Sequence, residues 1–233
     1  PVLPDALLPR RISASAHQTL IDCPYRFFAA RGLSLKPREA IVEQLSKRDY
    51  GKMVHESLQH YHSKISSSQK IGREQAVKQL EEISQEVFSK SSATDFLDQN
   101  WWQTWKSLIP HYIEWQLKRE DNWQVSQTEL SVQRNLDKAG FRLEGRIDRV
   151  DQNQQGRSLI DYKTGGSMDR KKVLAGEDVQ LLSYAHTVAD TRELIYLSID
   201  RNKKISPKVT INDTELEDLV PQLVERLETM LEM

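Results

Sequence analysis

The stretch GRIDRVDQNQQGRSLIDYKTGG, residues Gly145 to Gly166, sets the fold we expect and suggests a chemistry. Apolar and polar residues alternate in FRLEGRIDRVD, as in a half-buried strand, and SLIDYK is typical of a short buried strand. Between them, QNQQGR has turn composition, and Gly156 can adopt the positive φ that a tight turn needs. Together with the alternating run WQVSQTELSVQ before them, these segments predict an antiparallel meander.

Both strands of the quoted stretch end in an aspartate. Residues two apart in a strand face the same side, so Asp161 and Lys163 project together and Tyr162 points the other way. Pairing across the turn would bring Asp148, at the end of the preceding strand, close to Asp161. Two buried carboxylates repel each other, and a divalent cation removes that conflict. We therefore expect Mg²⁺ or Mn²⁺ on these oxygens, with the backbone carbonyl of Tyr162 as a further ligand.

Lys163, beside the acidic pair, indicates that the expected metal site is catalytic. A metal held there can polarise a phosphate and acidify a bound water, and Lys163 could position that water or offset developing charge. D-x-K alone is a weak signal, because a strand-end aspartate more often forms a turn or pairs with an arginine. The combination of G-x-I-D, a turn and D-x-K-T-G is more specific. Glu129 and Glu144 are weaker candidates for the same cluster, and either could instead pair with an arginine.

The remaining periodicity places the meander in a mixed fold. Helical spacing before it predicts several helices, the first capped by Ser13 and running to about Cys23. Helical spacing returns in EDVQLLSYAHTVA, and one or two strands and a final helix capped by Asp213 or Thr214 follow. The fold class is therefore α/β (mixed α+β), with a small mixed sheet flanked by helices.

Composition limits the class of protein. The chain has 233 residues with 33 basic and 34 acidic side chains, a length that suits one large domain. No apolar run is long enough to span a membrane, and the start lacks an apolar signal core, so we expect a cytoplasmic protein. A single cysteine excludes an internal disulfide or a cysteine metal cluster. Because the sequence does not begin with Met, we interpret it as a fragment or an excised domain.

The net charge of −1 conceals local basic clusters that could bind a polyanion. Arginines flank Asp148, and three bases follow the second carboxylate run. Solvated surface charge is the simpler explanation of any one cluster. The candidate phosphate contacts are Arg146, Arg149, Arg170, Lys171 and Lys172.

The run LEGRIDRVD followed by LIDYKTG resembles the core of PD-(D/E)XK nucleases of the RecB/AddB type. Three other stretches resemble that family's motifs in its own order: SASAHQTLIDCPYRFF the opening helix, GKMVHESLQHY the histidine-bearing helix, and VQLLSYA the Q-x-x-x-Y motif. The resemblance implies a restriction-endonuclease-like core with an N-terminal helical extension. We expect residues 1–120 to form the helical region and to pack on the nuclease core, residues 121–233, as one structural domain.

The resemblance also implies roles for single residues. His55 would join Asp148 and Asp161 as a metal ligand. Gln180 and Tyr184 are four apart and share a helix face, so both could bind a phosphate or brace the lysine. The alternative is a helix that simply packs Tyr184 on the sheet. The implied catalytic set is Asp148, Asp161, Lys163, Gln180 and Tyr184.

The activity that the resemblance implies is Mg²⁺-dependent cleavage of DNA, by an exonuclease in preference to an endonuclease. Such domains usually belong to DNA repair assemblies, so the expected partners are DNA and a helicase domain or subunit, with no membrane. Some members bind an iron–sulfur cluster through four cysteines. Cys23 stands alone, so we expect no cluster and interpret Cys23 as a small buried apolar residue.

Two alternatives stay open. The first is a catalytically inactive version of the fold that binds DNA ends or serves as a scaffold, although the intact acid and lysine set argues against it. The second is an unrelated α+β enzyme that uses the same metal chemistry on a small phosphorylated molecule. RNA as the substrate is also open.

Overall fold

The computed structural model describes residues 10–35, 47–90, 96–136, 140–166, 168–200 and 204–232. Within these ranges, no helix is long and apolar enough to cross a membrane. The elements are, in order, β1 (Arg11–Ser13), α1 (Ala14–Asp22), α2 (Pro24–Phe27), a π-helical turn (Phe28–Gly32), α3 (Lys47–Lys64), α4 (Ser68–Ile71), α5 (Arg73–Lys90), α6 (Phe96–Arg119), β2 (Gln124–Leu136), β3 (Phe141–Gln152), β4 (Arg157–Lys163), α7 (Arg170–Leu174), α8 (Gln180–Thr187), β5 (Thr191–Asp200), β6 (Lys204–Asn212) and α9 (Asp213–Glu232).

The six-stranded mixed sheet confirms the predicted fold class and the meander of β2, β3 and β4. β4 and β5 pair in parallel, and β5 and β6 pair antiparallel. β1, which is too short to show a periodicity, pairs in parallel with β3. β2 occupies one edge of β3, so β1 and β4 share the other edge. Pairing with β1 ends at Glu144 and pairing with β4 begins at Arg149, which leaves a gap along that edge among the described strands.

Helices cover both faces of the sheet. On one face, α3, α5 and α6 pack on β4 and β5 through a cluster that includes Trp105 and Ile160. On the other face, α8 and α9 pack through a cluster that includes Leu159 and Leu223. Because Leu159 and Ile160 are adjacent, β4 is buried from both sides, which explains its continuous apolar run. The strand that carries Asp161 and Lys163 is thus held firmly in the core.

Arg149 is completely buried, so the expectation that it contacts a phosphate is wrong. Its Nε donates to Oδ1 of Asp151 at 2.6 Å, and its Nη2 donates to Oδ2 at 3.0 Å. Arg119 of α6 donates to the same carboxylate, and Gln116 accepts from Arg149 at 2.6 Å. The arginine therefore joins α6 to β3 in the interior.

Replacing Arg149 by Met is expected to lower the free energy of unfolding by about 3 kcal/mol or more, because it breaks a buried ion pair. Urea unfolding followed by circular dichroism would measure the loss. The matched control is Arg142→Met on the same strand, since the side-chain hydrogen bonds of Arg142 to other described residues are long, 3.3 and 3.4 Å. That change should stay within about 0.5 kcal/mol. Equal losses in the two variants would contradict a structural role for the buried pair.

His17 ties α1 to α8 from a position that is 1% exposed. Its Nδ1 lies 3.0 Å from Oγ of Ser183, and that hydroxyl donates to the carbonyl of Val179, so Nδ1 is the donor to Ser183. Burial, and then the charge of Arg226, lower the pKa of His17 to about 4. The imidazole is therefore neutral at pH 7.

Acidification is expected to destabilise the protein through His17. Between the ordinary pKa of 6.5 and the folded pKa of about 4, the unfolded chain binds more protons, so the free energy of unfolding decreases as the pH falls. The whole effect amounts to roughly 3 kcal/mol. Urea unfolding at several pH values across this window should show a shallower pH slope for His17→Leu than for the wild type. Identical slopes would show that His17 does not contribute to the pH dependence of the free energy of unfolding.

Two local predictions need correction, and a third is confirmed. Cys23 is half-buried, and its Sγ accepts from the backbone N of Arg26, so it caps α2 instead of filling the core. α9 is capped one residue earlier than predicted, by Asn212. The Asn212 side chain accepts from the N of Glu215, and the Glu215 carboxylate accepts from the N of Asn212, as in a capping box. The Ser13 cap of α1 is confirmed.

Candidate active site

Asp148 lies at the gap along the edge of β3. The last pair between β3 and β4 is Arg149 with Ile160, so Asp148 and Asp161 would pair next, and there the strands separate. The backbone N of Tyr162 donates to Oδ2 of Asp148 at 2.8 Å instead. Burial, and then the charge of Asp148, raise the pKa of Asp161 to about 6. Asp148 and Asp161 therefore lie in one site, close enough for the charge of one to raise the pKa of the other.

The sheet is distorted where Asp148 faces β2. Leu130 pairs with Ile147, so Glu129, the preceding residue, lies opposite Asp148. Ile147 packs in the cluster beneath α8, whereas Arg149 packs against α3 and α6 on the opposite face. Residues two apart in a regular strand share a face, so the alternation breaks at Asp148. Glu129 has a φ of +51°, a left-handed conformation that is strained for a glutamate and typical of functional sites.

A histidine and two carboxylates converge at this distortion. His55 comes from α3, and its Nδ1 lies 3.4 Å from Oδ1 of Asp148. Ligand atoms of His55, Glu129 and Asp148 all lie within 4.8 Å of one another. Nitrogen and carboxylate donors at this spacing suit a divalent cation such as Mn²⁺ or Mg²⁺. Glu129, the weaker candidate from the sequence, thus joins the group, while Glu144 does not belong to it.

The electrostatics of this group favour a cation. Burial raises the pKa of Glu129, and the charge of Asp148 raises it further. Burial alone would lower the pKa of His55, but the hydrogen bond and charge of Asp148 outweigh burial, so the pKa is raised. The raised pKa of His55, and part of the rise in the pKa of Glu129, reflect the negative charge of Asp148, which a bound cation would relieve.

A ring of hydrogen bonds holds the lysine. Nζ of Lys163 lies 2.7 Å from Oδ2 of Asp161 and donates to Oε1 of Gln180 at 2.9 Å. Nε2 of Gln180 donates to Oδ1 of Asp161 at 3.0 Å and to the hydroxyl of Tyr184 at 3.3 Å. Gln180 and Tyr184 lie one turn apart in α8. The structure thus brings four of the predicted residues together, and α8 both packs Tyr184 on the sheet and braces the lysine.

The bare backbone of Gly145 makes room for Tyr184, a role that the G-x-I-D pattern alone does not reveal. A Cβ at Gly145 would lie 2.3 Å from Cε1 of the Tyr184 ring. Tyr184 is only 6% exposed, so its ring has little space to move. The glycine therefore sets the position of the ring and, through the ring hydroxyl, that of Gln180.

Tyr162 faces away from Lys163, as strand alternation predicts. Its hydroxyl lies 3.0 Å from that of Tyr112 in the buried network, and its ring meets the His55 ring edge-on with centroids 5.7 Å apart. Tyr162 therefore supports His55 from the side of the core. Ligation of a metal by its backbone carbonyl stays a prediction.

A groove of about 600 Å³ opens beside the ligand group and Lys163. Arg146 lines it, with a side chain that is 61% exposed and an Nε that lies 2.5 Å from Oε2 of Glu129. α3 adds four basic or imidazole side chains that no sequence pattern singled out, because they reach the groove only through the packing of α3 over the sheet. These are Lys47, Arg48, Lys52 and His60.

The predicted phosphate contacts in α7 are not among the residues that line the groove. Arg170 donates to the carbonyl of Thr210 and pairs with Glu215 in the first turn of α9. Lys171 and Lys172 are exposed on the same short helix. The structure thus assigns α7 a contact with β6 and α9, and a role in binding phosphate stays a prediction.

Fold and site together define a class of protein. Asp148 lies within β3, not at its end as the sequence suggested, and it lies beside Asp161 of β4 where the two strands separate. A mixed sheet with two such aspartates and a D-x-K lysine resembles the core of the restriction-endonuclease-like nucleases. The sequence profile of the PD-(D/E)XK nuclease superfamily matches residues 11–233, and the chain belongs to this superfamily. The family and the fold class expected from the motifs are therefore confirmed.

Similar proteins agree with this assignment. The fold resembles the crystal structure of a candidate exonuclease from Eubacterium rectale, with a TM-score of 0.56 and 12% identity over 96% of this chain and 80% of that chain. At this identity the likeness concerns the fold alone.

Two curated relatives are much longer than this chain. A protein of Rickettsia bellii, described as uncharacterized, is 25% identical over 177 residues, which are 75% of this chain and 21% of the relative. An ATP-dependent helicase/deoxyribonuclease subunit of Anoxybacillus flavithermus is 26% identical over 216 residues, which are 78% of this chain and 18% of the relative. The chain thus spans about a fifth of their length.

Proposed function

We propose that this domain is a divalent-metal-dependent DNA nuclease that hydrolyses phosphodiester bonds as an exonuclease. The observation that carries the proposal is the hydrogen-bonded ring of Asp161, Lys163 and Gln180 beside the ligand group around His55. Membership of a nuclease superfamily supports the reaction class. Relatives named as helicase/deoxyribonuclease subunits support DNA as the substrate, a helicase as the partner, and a role in DNA repair or recombination.

The residues that would hold the metal are His55, Glu129 and Asp148, with Asp161 beside them. Bound Mg²⁺ or Mn²⁺ would supply a Lewis acid for the phosphate and lower the pKa of a water. The carboxylates lie close together before a metal binds, because Glu129 has a strained backbone conformation and β3 and β4 separate at Asp148. Little rearrangement is then needed when the site is filled.

Lys163 would act on the reacting groups. An ammonium has three donors, and in the described part of the chain Asp161 and Gln180 accept two of them, which leaves one for the attacking water or a phosphate oxygen. Because Gln180 accepts from the lysine and also donates to Asp161, the ammonium is held in place before substrate binds. Arg146 and the bases of α3 would neutralise backbone phosphates and make binding dependent on salt.

The proposal is tested by incubating the domain with end-labelled linear single- and double-stranded DNA, circular single-stranded DNA and linear RNA, each with Mg²⁺, Mn²⁺ or EDTA. We expect cleavage of linear DNA with either metal, none with EDTA, and persistence of the circles, since an exonuclease needs an end. Cleaved circles would replace exonuclease by endonuclease. A folded protein that binds DNA without cutting it in any metal would overturn the enzymatic proposal and favour the scaffold.

A further inference from the structure

Residues 131–136 of β2 and 141–146 of β3 form a ribbon that extends past the candidate active site, with β1 along its edge. α3 crosses one face of the sheet beside the active site, where Oγ of Ser63 lies 3.5 Å from Oγ1 of Thr128. Beyond this crossing, the polar side chains of the ribbon on that face are exposed or half-buried. We call this surface the ribbon face, and it is made of Arg11, Ser131, Gln133, Asn135, Arg142 and Glu144.

Strand alternation assigns the side chains of β3 to this face. Leu143 packs with Ile12 of β1 in a buried cluster on the opposite side of the ribbon, and Gly145 lies there against Tyr184 of α8. The residues that alternate with them point the other way, toward the side that α3 crosses. They are Arg142, Glu144 and Arg146.

The hydrogen bonds of Arg142 connect both strands on the ribbon face. Its Nη1 donates to Oε1 of Gln133 at 3.3 Å, and its Nε donates to Oδ1 of Asn135 at 3.4 Å. Both bonds are long and both acceptors are neutral amides, so these contacts do not neutralise the guanidinium group.

Two arginines lie side by side on this face. Arg11 pairs with Arg142 in the parallel ladder, where neighbouring strands are about 4.8 Å apart. Like charges on directly opposite residues destabilise a strand pair. Among the described residues of the ribbon face, Glu144 is the only acid, so two arginines against one glutamate leave the face positive. A polyanion bound across the arginines would remove their repulsion.

The ribbon face continues into the groove of the candidate active site. Arg146 lies on the same side of β3 and lines the groove, with its Nε 2.5 Å from Oε2 of Glu129. Arg142 precedes Arg146 by four residues, which is ~14 Å at ~3.4 Å per residue. One strand of a DNA duplex advances ~3.4 Å per nucleotide, so about four nucleotides span that distance. A strand that reaches the ligand group can therefore also reach Arg142.

We propose that the ribbon face binds the backbone of the DNA strand about four nucleotides from the bond that is cleaved, with Arg11 and Arg142 on its phosphates. The inference rests on the proposed function, because it takes DNA as the substrate. The amides of Gln133 and Asn135 can donate to phosphate or sugar oxygens. No described side chain of the ribbon face is aromatic, so this surface offers the bases no stacking platform, and the contact is independent of sequence.

The test measures binding of a fluorescein-labelled single-stranded oligonucleotide to the whole domain by fluorescence anisotropy, with EDTA and again with Ca²⁺, over a range of salt concentrations. We expect Arg11→Met and Arg142→Met each to weaken binding about two- to fivefold. Each should also reduce the slope of log K against log salt by about one, as for the loss of one phosphate contact. Arg73→Met is the matched control, because Arg73 is an exposed arginine of α5 that is not among the groove residues.

A second variant changes the charge of the ribbon face in the opposite direction. Glu144→Gln should tighten binding, since it removes a carboxylate that lies between Arg142 and Arg146 along β3. Equal affinities of Arg142→Met, Arg73→Met and Glu144→Gln would overturn the ribbon face as a binding surface. A wild type that binds no DNA in either condition would overturn DNA as the substrate. Arginine-dependent binding without cleavage in Mg²⁺ or Mn²⁺ would support the ribbon face and overturn only the nuclease activity.

Discussion

Replacing Lys163 by Ala is expected to lower the rate of DNA cleavage by about 10²–10³-fold, the usual effect of removing one preorganised donor from the transition state. Asp161→Ala should cost more, because that carboxylate both pairs with Lys163 and adds negative charge to the metal site. Initial rates on linear DNA at saturating Mg²⁺ would measure both effects. Because the prediction rests on the proposed nuclease activity, the wild type must first be active.

Loss of folding has to be separated from loss of chemistry in these variants. Asp161 is only 4% exposed, so removing Lys163 leaves a buried carboxylate that, among the described residues, keeps one side-chain hydrogen bond, from Gln180, and the domain could lose stability. Thermal unfolding of each variant shows whether the protein is folded at the assay temperature. Lys118→Ala on α6 is the matched control, because that side chain is 75% exposed and should leave the rate unchanged. A folded Lys163→Ala with a wild-type rate would exclude the lysine from catalysis.

The residues of the lysine ring could be predicted because their geometry follows from local spacing. The two-residue period of a strand puts Asp161 and Lys163 on one face, and the four-residue period of a helix puts Gln180 above Tyr184. The short turn between β3 and β4 then sets the register that brings Asp148 to the same end of the strand pair. These steps use only neighbours along the chain or across one turn, whereas the placement of Gln180 and Tyr184 beside the lysine was implied by the family resemblance and not by spacing.

Other features depend on packing that no local pattern contains. A regular strand would place Arg149 on the same face as Ile147, beneath α8, but the break at Asp148 turns the arginine to the opposite face, where it contacts α3 and α6. The spacing R-x-D, which puts Arg149 and Asp151 on one face, was the one available sign of a buried pair. Glu129 joins the ligand group because its backbone φ is positive, and a glutamate in the sequence does not predict that conformation. The α3 bases reach the groove only because the helices fold over the sheet.

Replacing Gly145 by Ala is expected to lower the cleavage rate by up to about 10²-fold, although Gly145 contacts neither metal ligand nor substrate in the proposed mechanism. The new methyl would lie 2.3 Å from Cε1 and 2.9 Å from Cδ1 of Tyr184, so the buried ring must shift. The shift would remove the hydroxyl that accepts from Gln180 and loosen the brace on Lys163. Overpacking of this kind also costs about 1–3 kcal/mol of stability.

A double-mutant cycle with Tyr184→Ala separates this positioning role from a general loss of stability. Removing the ring creates the space that the methyl of Gly145→Ala needs, so the double variant should cleave DNA no more slowly than Tyr184→Ala alone. The substrate KM should change little in every member of the cycle, since the brace acts on the reacting lysine and not on the basic groove. Additive losses in kcat would show that Gly145 acts through the backbone of β3 instead of through the tyrosine.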